Sequence, residues 1–265
     1  MSVSSSSLTT AAIVSRLRAA GCVFAEDEAG LLLSTAPTPA DLDAMVARRV
    51  AGEPLEHVLG WAEFCGLRVY VEPGVFVPRP RTGFLIEAAA ELAREVTGTP
   101  VILDLCCGTG AMGAAVVAGL ARAELHAADL DPVAVRCARR NLEGTATVYE
   151  GDLYDPLPAA LRGRVDILIA SPPYVPSESV GLLPPEARLH EPLHALDGGA
   201  DGLDVVRRVI GGAPGWLAPG GRLLVETSER QAPATAEAAR AAGLTVRVAT
   251  SDDLDATAVI GTRQA

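Results

Sequence analysis

Lysine is missing altogether: every one of the 22 basic residues is an arginine. The arginines gather into no stripe or run, so their use reads as a coding bias and not as a nucleic-acid surface. Positive charge is also in deficit. A net charge of −11 disfavours a duplex nucleic-acid partner, because affinity for phosphates is carried by surplus basic charge. No segment reaches the roughly 18 uninterrupted apolar residues that a membrane span needs. The serine-rich start also lacks the charged stretch and apolar core of a secretory signal. A cytoplasmic protein with no membrane partner is expected. Cysteines number five, none stands in a C-x-x-C pair, and the adjacent Cys106-Cys107 suits reduced, buried small residues. His190 and His194 flank Pro192, which keeps them off one helical face, so no metal is expected there.

What is present is a chain of 265 residues with 49% hydrophobic and 21% charged residues, the make-up of a soluble globular protein with one large or two modest domains. Residues Met1 to Ser7 are expected to be frayed. From Leu8 to Leu33 the apolar spacing gives two short helices broken near Gly21. A third helix is expected over Pro39–Val50, capped by Thr38, with Pro39 in its first turn. These helices form a small unit that needs to pack on the rest of the chain. Next come Gly60–Phe64, Leu67–Val71 and Val75–Val77, read as a hairpin with Pro73-Gly74 as its turn signal. The stiff Pro78-Arg-Pro-Arg-Thr82 comes after it, not helical before Pro80, and helical periodicity resumes from Thr82 to Val96.

Beyond Pro100 strands and helices alternate, which implies an α/β fold with a parallel sheet wound on both faces. Seven strands are expected: 101–105, 124–128, 146–150, 165–170, 221–226, 244–249 and 256–261. The boundaries are 1–60 for the helical domain, 61–80 for the hairpin linker and 81–265 for the α/β domain.

The fourth of these strands runs into Ser171-Pro-Pro-Tyr174. Two prolines cannot continue a ladder, so the carbonyls of Ser171 and Pro172 are released at the carboxyl end of the sheet, where open α/β folds bind ligands. A side-chain acceptor and a backbone acceptor there suit the two hydrogens of a planar –NH2 group, with Tyr174 packed against it.

The first strand carries the cofactor signal. Asp104-Leu-Cys-Cys-Gly-Thr-Gly110 leads from a strand into a small-residue helix, and Gly108 and Gly110 permit close approach of backbone to ligand. The second strand ends in Asp129, suited to both hydroxyls of a ribose, and Asp152 comes after the third, suited to an adenine amino group. A pyrophosphate would want a full G-x-G-x-x-G and no carboxylate beside it. Asp104 favours a cationic amino-acid moiety instead, and the whole set fits S-adenosyl-L-methionine. Glu226, Asp197 and Asp201 fit either the crevice or solvated loop ends, and the sequence leaves them open.

With these residues in place the chain resembles the protein-(glutamine-N5) methyltransferases that modify peptide release factors. The shared marks run through Gly52-Glu-Pro-Leu-Glu-His57, Gly60, Glu63-Phe64, Val77-Pro-Arg-Pro80 with Thr82, the glycine loop, Asp129, Asp152, the Pro-Pro-Tyr corner and Glu191-Pro-Leu-His-Ala-Leu196. The resemblance implies a helical substrate-recognition domain, a hairpin linker and a class I, Rossmann-like S-adenosyl-L-methionine-dependent methyltransferase domain. To the cofactor residues Asp104, Gly108, Gly110, Asp129 and Asp152 it adds Phe76, Arg79, Thr82, Cys106, Leu130, Leu153 and Ser171. It implies that Ser171, Pro172 and Tyr174 grip the reacting amide and that Pro173 and Glu191 join them at the substrate, a glutamine of a release factor or another protein. The product would be S-adenosyl-L-homocysteine.

Three departures stand out: Ser171 where the family usually has asparagine, Arg81 and Gly83 where acidic residues commonly flank the threonine, and Cys106 in place of the first loop glycine. Two other readings differ from the resemblance. One is methylation of an exocyclic amine in DNA or RNA, because Ser-Pro-Pro-Tyr also resembles the corner of cytosine-N4 DNA methyltransferases. The other is a retired module that binds cofactor or partner without transfer.

Overall fold

A computed structural model describes residues 9–264; the expected fraying of Met1 to Ser7 lies outside them. Four helices open the fold: α1 (Thr10–Ala19), α2 (Ala25–Thr35), α3 (Pro39–Val50) and α4 (Leu55–Leu59). The hydroxyl of Thr38 accepts the Asp41 N–H at 3.2 Å, and Pro39 fills the first position, where no donor is needed. Gly21, at φ +94°, turns the chain between α1 and α2. Ile13, Leu17, Leu32 and Val46, all fully buried, form a core of their own that α4 closes with Val58 and Leu59. The short α4 lies where no helix was expected.

The unit is tied to the rest by charge. Arg49, 7% exposed, holds Glu28 through Nε at 2.6 Å and Nη2 at 3.1 Å, and reaches Glu186 with Nη1 at 2.6 Å. Burial works against the guanidinium's charge, but the two carboxylates more than restore it and carry its pKa above the ordinary value.

The hairpin is shorter than expected and turns elsewhere. Strands β1 (Trp61–Phe64) and β2 (Leu67–Tyr70) pair antiparallel, and the turn is Cys65-Gly66, at φ 49° and 75°. Two consecutive positive φ angles match the right-handed twist of the strands. Pro73-Gly74 makes a separate turn, closed by Val75 N–H to the Glu72 carbonyl at 3.1 Å, and Val75–Val77 joins no strand. The sole asparagine of the sequence, Asn141, completes β2 from the side. Its amide accepts the Tyr70 N–H at 2.8 Å and donates to the carbonyls of Tyr70 and Thr109, each at 2.9 Å.

After a short 3₁₀ turn at Pro80–Thr82 the chain runs through α5 (Gly83–Arg94), β3 (Val101–Leu105), α6 (Ala111–Ala118), β4 (Glu124–Asp129), α7 (Pro132–Asn141), β5 (Ala146–Glu150) and β6 (Val165–Ala170). Then come α8 (Pro185–His190), α9 (Asp204–Gly212), β7 (Leu217–Thr227), α10 (Ala232–Ala241), β8 (Leu244–Ser251) and β9 (Ala256–Arg263). The sheet order is β5-β4-β3-β6-β7-β9-β8. The seven expected strands are all there, but the sheet is not wholly parallel. No helix separates β8 from β9, so β9 returns antiparallel between β7 and β8, because a tight connection cannot carry a parallel crossover.

Alternation along the central strands builds two cores. Leu103, Leu105, Leu168 and Ala170 face α9 and α10, while Ile102, Ile167 and Ile169 face α5, α6 and α7. Asp104, in register with the second set, is a fully buried carboxylate among apolar side chains. No helix among the described residues is long and apolar enough to cross a membrane.

Candidate functional site

At the carboxyl ends of the parallel strands lies a cavity of about 460 Å³. Its first part is built where β3, β4 and β5 stop. The loop after β3 curls back at Cys106, φ 56°, and the Cys107 N–H returns to the Ala128 carbonyl at 3.1 Å. Cys106 thus keeps the left-handed backbone that a glycine would adopt more cheaply. Gly110 has φ 75°, and a Cβ there would meet Leu142 Cδ1 at 2.8 Å, so both its backbone and its packing require glycine. Asp129 takes the Gly108 N–H on Oδ2 at 2.8 Å and the Asp131 N–H on Oδ1 at 2.9 Å, and burial pushes its pKa up. Each oxygen keeps a lone pair for a ligand.

Beneath the loop, Asp104 Oδ2 accepts the Gly113 N–H at 2.8 Å, while Oδ1 has no hydrogen-bond partner among the described residues. Burial raises this carboxyl to about 7, partly offset by the Gly113 bond. Asp152 is held at 2.6 Å by Arg208, a residue with no signal in the sequence.

The second part gathers around Ser171–Tyr174, after β6. Among the described residues no donor takes the carbonyls of Ser171 or Pro172. The next two are enclosed: Gly198 packs so tightly that a Cβ on it would sit 2.6 Å from the Pro173 oxygen, and Gln231 Nε2 donates to the Tyr174 carbonyl at 2.9 Å. The Tyr174 hydroxyl accepts from Arg81 Nη2 at 2.7 Å and donates to Glu226 at 3.3 Å. Burial first, and then the Glu226 charge, raise its pKa to about 12. Glu226, left open by the sequence, does not line the cavity itself but lies buried behind it, bonded to Thr82, Ser171 and Tyr174, which do. Asp197 and Asp201 do not line the cavity: Asp197 fastens Ser177 and the Gly199 N–H, and Asp201 pairs with Arg207.

Phe76, Arg79, Thr82, Cys106, Gly108, Asp129, Leu130, Asp152, Leu153, Ser171, Pro172, Pro173 and Tyr174 all line the cavity; Asp104, Gly110 and Glu191 do not. Glu191, expected at the substrate, is instead taken up by the Val77 N–H at 3.1 Å and by Arg79 Nη2 at 2.6 Å. It braces the 76–80 segment, whose Arg79 also lies over the Phe76 ring at 4.7 Å. Asp131 and His194, 3.3 Å apart, also line the cavity, where sequence reasoning did not place them. Asp131-Pro132 opening α7 was the available signal, since Asp131 caps that helix through the Val133 N–H at 2.8 Å.

Fold and site together define a class I S-adenosyl-L-methionine-dependent methyltransferase. The cofactor's requirements meet features of this chain. An unpaired, buried Asp104 oxygen suits a cationic amino-acid moiety, Asp129 at the end of β4 suits a ribose, and Gly108 offers backbone without a side chain in the way. Comparison with known proteins agrees. The model of the "Methyltransferase small domain" family matches residues 67–182. Release factor glutamine methyltransferase of Streptomyces coelicolor is 41% identical over 75% of this chain and 72% of its own length. That of Mycolicibacterium smegmatis is 39% identical over 80% and 76%, and that of Geobacter sulfurreducens 39% over 71% and 65%. Two solved structures share the fold alone. A Pyrococcus furiosus methyltransferase is 17% identical with a TM-score of 0.56, over 85% of this chain and all of its own. A T. thermophilus 16S rRNA N2 G1207 methyltransferase in complex with AdoMet and guanosine is 20% identical with a TM-score of 0.56, over 77% and 50%. The chain belongs to the release factor glutamine methyltransferase family.

Proposed function

We propose that this protein transfers the methyl group of S-adenosyl-L-methionine to the side-chain amide nitrogen, N5, of a glutamine in a protein, and that this protein is a peptide chain release factor met in the cytoplasm. The observation that carries the reading is the unclaimed Pro172 carbonyl beside the Ser171 hydroxyl, in one cavity with the loop of Gly108 and Asp129. S-adenosyl-L-methionine, when bound, supplies a methyl group on a positively charged sulfur, already a strong electrophile.

An amide nitrogen is a poor nucleophile because its lone pair is shared with the carbonyl, so the chain's own work is positioning. The Pro172 carbonyl and Ser171 Oγ accept the two N–H bonds and hold the nitrogen still, and Tyr174 closes one side of the amide plane; as the N–C bond forms the sulfur–methyl bond breaks, its electron pair staying on sulfur, and one amide proton passes to water. Asp129 would hold the ribose and Asp152 the adenine amino group. Asp104, buried beneath the loop and not in the cavity wall, would favour the cationic end by its charge from behind it. No histidine need serve as base: His194, the one histidine in the cavity wall, lies 3.3 Å from Asp131. His57 Nε2 is engaged with the Val75 carbonyl at 2.8 Å, and burial keeps its pKa below the ordinary value.

The test is transfer of labelled methyl from S-adenosyl-L-methionine to separate pools of release factors, total protein and nucleic acid, with Asp129→Ala as control. Label is expected on one glutamine of a release factor, located by mass spectrometry, and lost in the control. Label on nucleic acid alone would overturn the reading.

A further inference from the structure

Glu226 has no part in the reaction as described, yet it collects three hydroxyl protons from two separate segments, the 80–82 turn and the corner itself. It is the penultimate residue of β7, one past Val225, which pairs with Ala170 at the end of β6, and is 6% exposed. Its Oε2 accepts from Thr82 Oγ1 at 2.7 Å and from Ser171 Oγ at 3.2 Å; its Oε1 accepts from Tyr174 at 3.3 Å and lies 3.5 Å from Arg81 Nε. An ionised carboxylate only accepts, so each hydroxyl commits its single proton to it. For Tyr174 the direction is doubly determined. Arg81 has no acceptor, so the phenol oxygen must accept from it and keep its proton for Glu226.

We propose that Glu226 is a positioning residue that fixes Ser171 as a hydrogen-bond acceptor toward the substrate, letting a serine stand in for a side-chain carbonyl at the corner. The proposal rests on the reading of the reaction as transfer to an amide nitrogen. A free serine hydroxyl is ambivalent: it rotates to donate to a carbonyl as readily as to accept from an N–H. With its proton held by Glu226, Ser171 offers the cavity only lone pairs. Together with the Pro172 carbonyl this makes two acceptors and no donor, which selects the –NH2 side of a primary amide over its oxygen. A glutamate side chain, which has no N–H, meets two acceptors and a buried negative charge behind them, so the corner rejects the deamidated substrate. Arg81 faces the other oxygen of the carboxylate, 3.5 Å from Oε1, and its Nη2 goes to the Tyr174 hydroxyl, so Oε2 is left to Thr82 and Ser171.

The decisive variants are Glu226→Gln, which keeps the shape but offers Ser171 an –NH2 group, and Ser171→Asn, which brings its own carbonyl. They are compared for methyl transfer to a glutamine peptide from a release factor, for cofactor binding by calorimetry and for thermal unfolding. Glu226→Gln is expected to lower kcat/KM roughly 10- to 100-fold through misaimed substrate, with cofactor affinity within about twofold of wild type. Ser171→Asn added to Glu226→Gln is expected to restore most of that loss. A purely structural Glu226 would give the same loss in both backgrounds, and that additivity, or full activity in Glu226→Gln, would overturn the proposal. Wild-type protein that methylates no glutamine would defeat the reading of the reaction instead. In that event, or if Glu226→Gln does not fold, neutron diffraction of wild-type crystals decides. Deuterium on Ser171 Oγ directed at Glu226 supports the assignment, and deuterium directed into the cavity overturns it.

Discussion

The two parts of the cavity are made by different means. Where β3, β4 and β5 end, the wall is backbone curled onto carboxylates: Gly108 and Asp131 N–H groups on Asp129, the Gly113 N–H on Asp104. Each bond is short-range or spans neighbouring strands, so this part is set once the sheet forms. Around Ser171–Tyr174 the wall is side chain against side chain, drawn from the 80–82 turn, the corner after β6 and the end of β7. It also depends on the helical unit, because Glu186 of α8 lines the cavity and is gripped by Arg49 of α3. None of the residues of α1–α4 lines the cavity itself. On the proposed reading, a cofactor common to many proteins would thus be met by a nearly self-sufficient sheet edge, and a particular substrate by parts that only the whole chain brings together.

Arg49→Ala should separate the parts most sharply. It leaves Glu28, 7% exposed, as a buried charge without its partner, for which a loss of about 3–5 kcal/mol is expected. Thermal unfolding measures it, and Glu28→Gln in the same chain should recover much of the loss. The cofactor affinity of folded protein should stay within about twofold of wild type while KM for the protein substrate rises. A matching loss of cofactor affinity would mean that the helical unit supports both parts. Asp129→Ala makes the opposite cut. It removes the acceptor of two backbone N–H groups and, on the proposed reading, of the ribose, and cofactor affinity by calorimetry should fall about 100-fold. Stability of the helical unit, tracked by hydrogen exchange on α1–α3, should not change.

Asp104 gives the cofactor part a pH dependence that the corner lacks. Its carboxyl is raised to about 7 from an ordinary 3.8, so the folded, cofactor-free protein holds a proton that the unfolded chain has released. Its contribution to stability is therefore full below about pH 4 and disappears as pH rises through 7. A bound cation wants the ionised form, so binding has the opposite trend. Affinity should gain about tenfold per pH unit up to 7 and level off above. Calorimetry in buffers of different ionisation enthalpy should show close to one proton released near pH 6. Affinity independent of pH between 5 and 8 would place the cationic group away from Asp104.

Much of the site is readable from the chain because the cofactor signals are local. Asp104 to Gly110, Asp129 and Asp152 each lie at or just past the end of a strand, and buried apolar runs such as Val101–Leu105 declare those strands. The Pro-Pro-Tyr corner announces itself by what proline cannot do. The turn at Cys65-Gly66 is hidden because Pro73-Gly74 is a louder signal, although a proline there has no donor to give a ladder. The antiparallel return of β9 depends on a connection too short for a helix, which strand patterns alone do not weigh. Least visible are the long-range pairs. Nothing near Arg208 points to Asp152, nothing near Arg49 points to Glu186, and Glu226 looks like one more acidic strand end until the fold sets it beside Thr82, Ser171 and Tyr174.

Arg208 tests the smallest part of the contrast. Its ion pair with Asp152, at 2.6 Å, joins side chains that are 55% and 41% exposed, so solvent screens it and its contribution to stability should be below about 0.5 kcal/mol. The pair occupies the carboxylate proposed for the adenine amino group. Asp152 has lone pairs enough for both partners, but Arg208 must let the adenine approach, and that adjustment has a cost. Arg208→Ala should therefore leave the unfolding temperature almost unchanged and tighten cofactor binding slightly, by no more than about threefold at low salt, with the difference fading as salt is added. Asp152→Ala should weaken it instead. If Arg208→Ala were to weaken binding tenfold, the guanidinium itself would contact the cofactor, and the sheet edge would owe its fit to a distant helix just as the corner does.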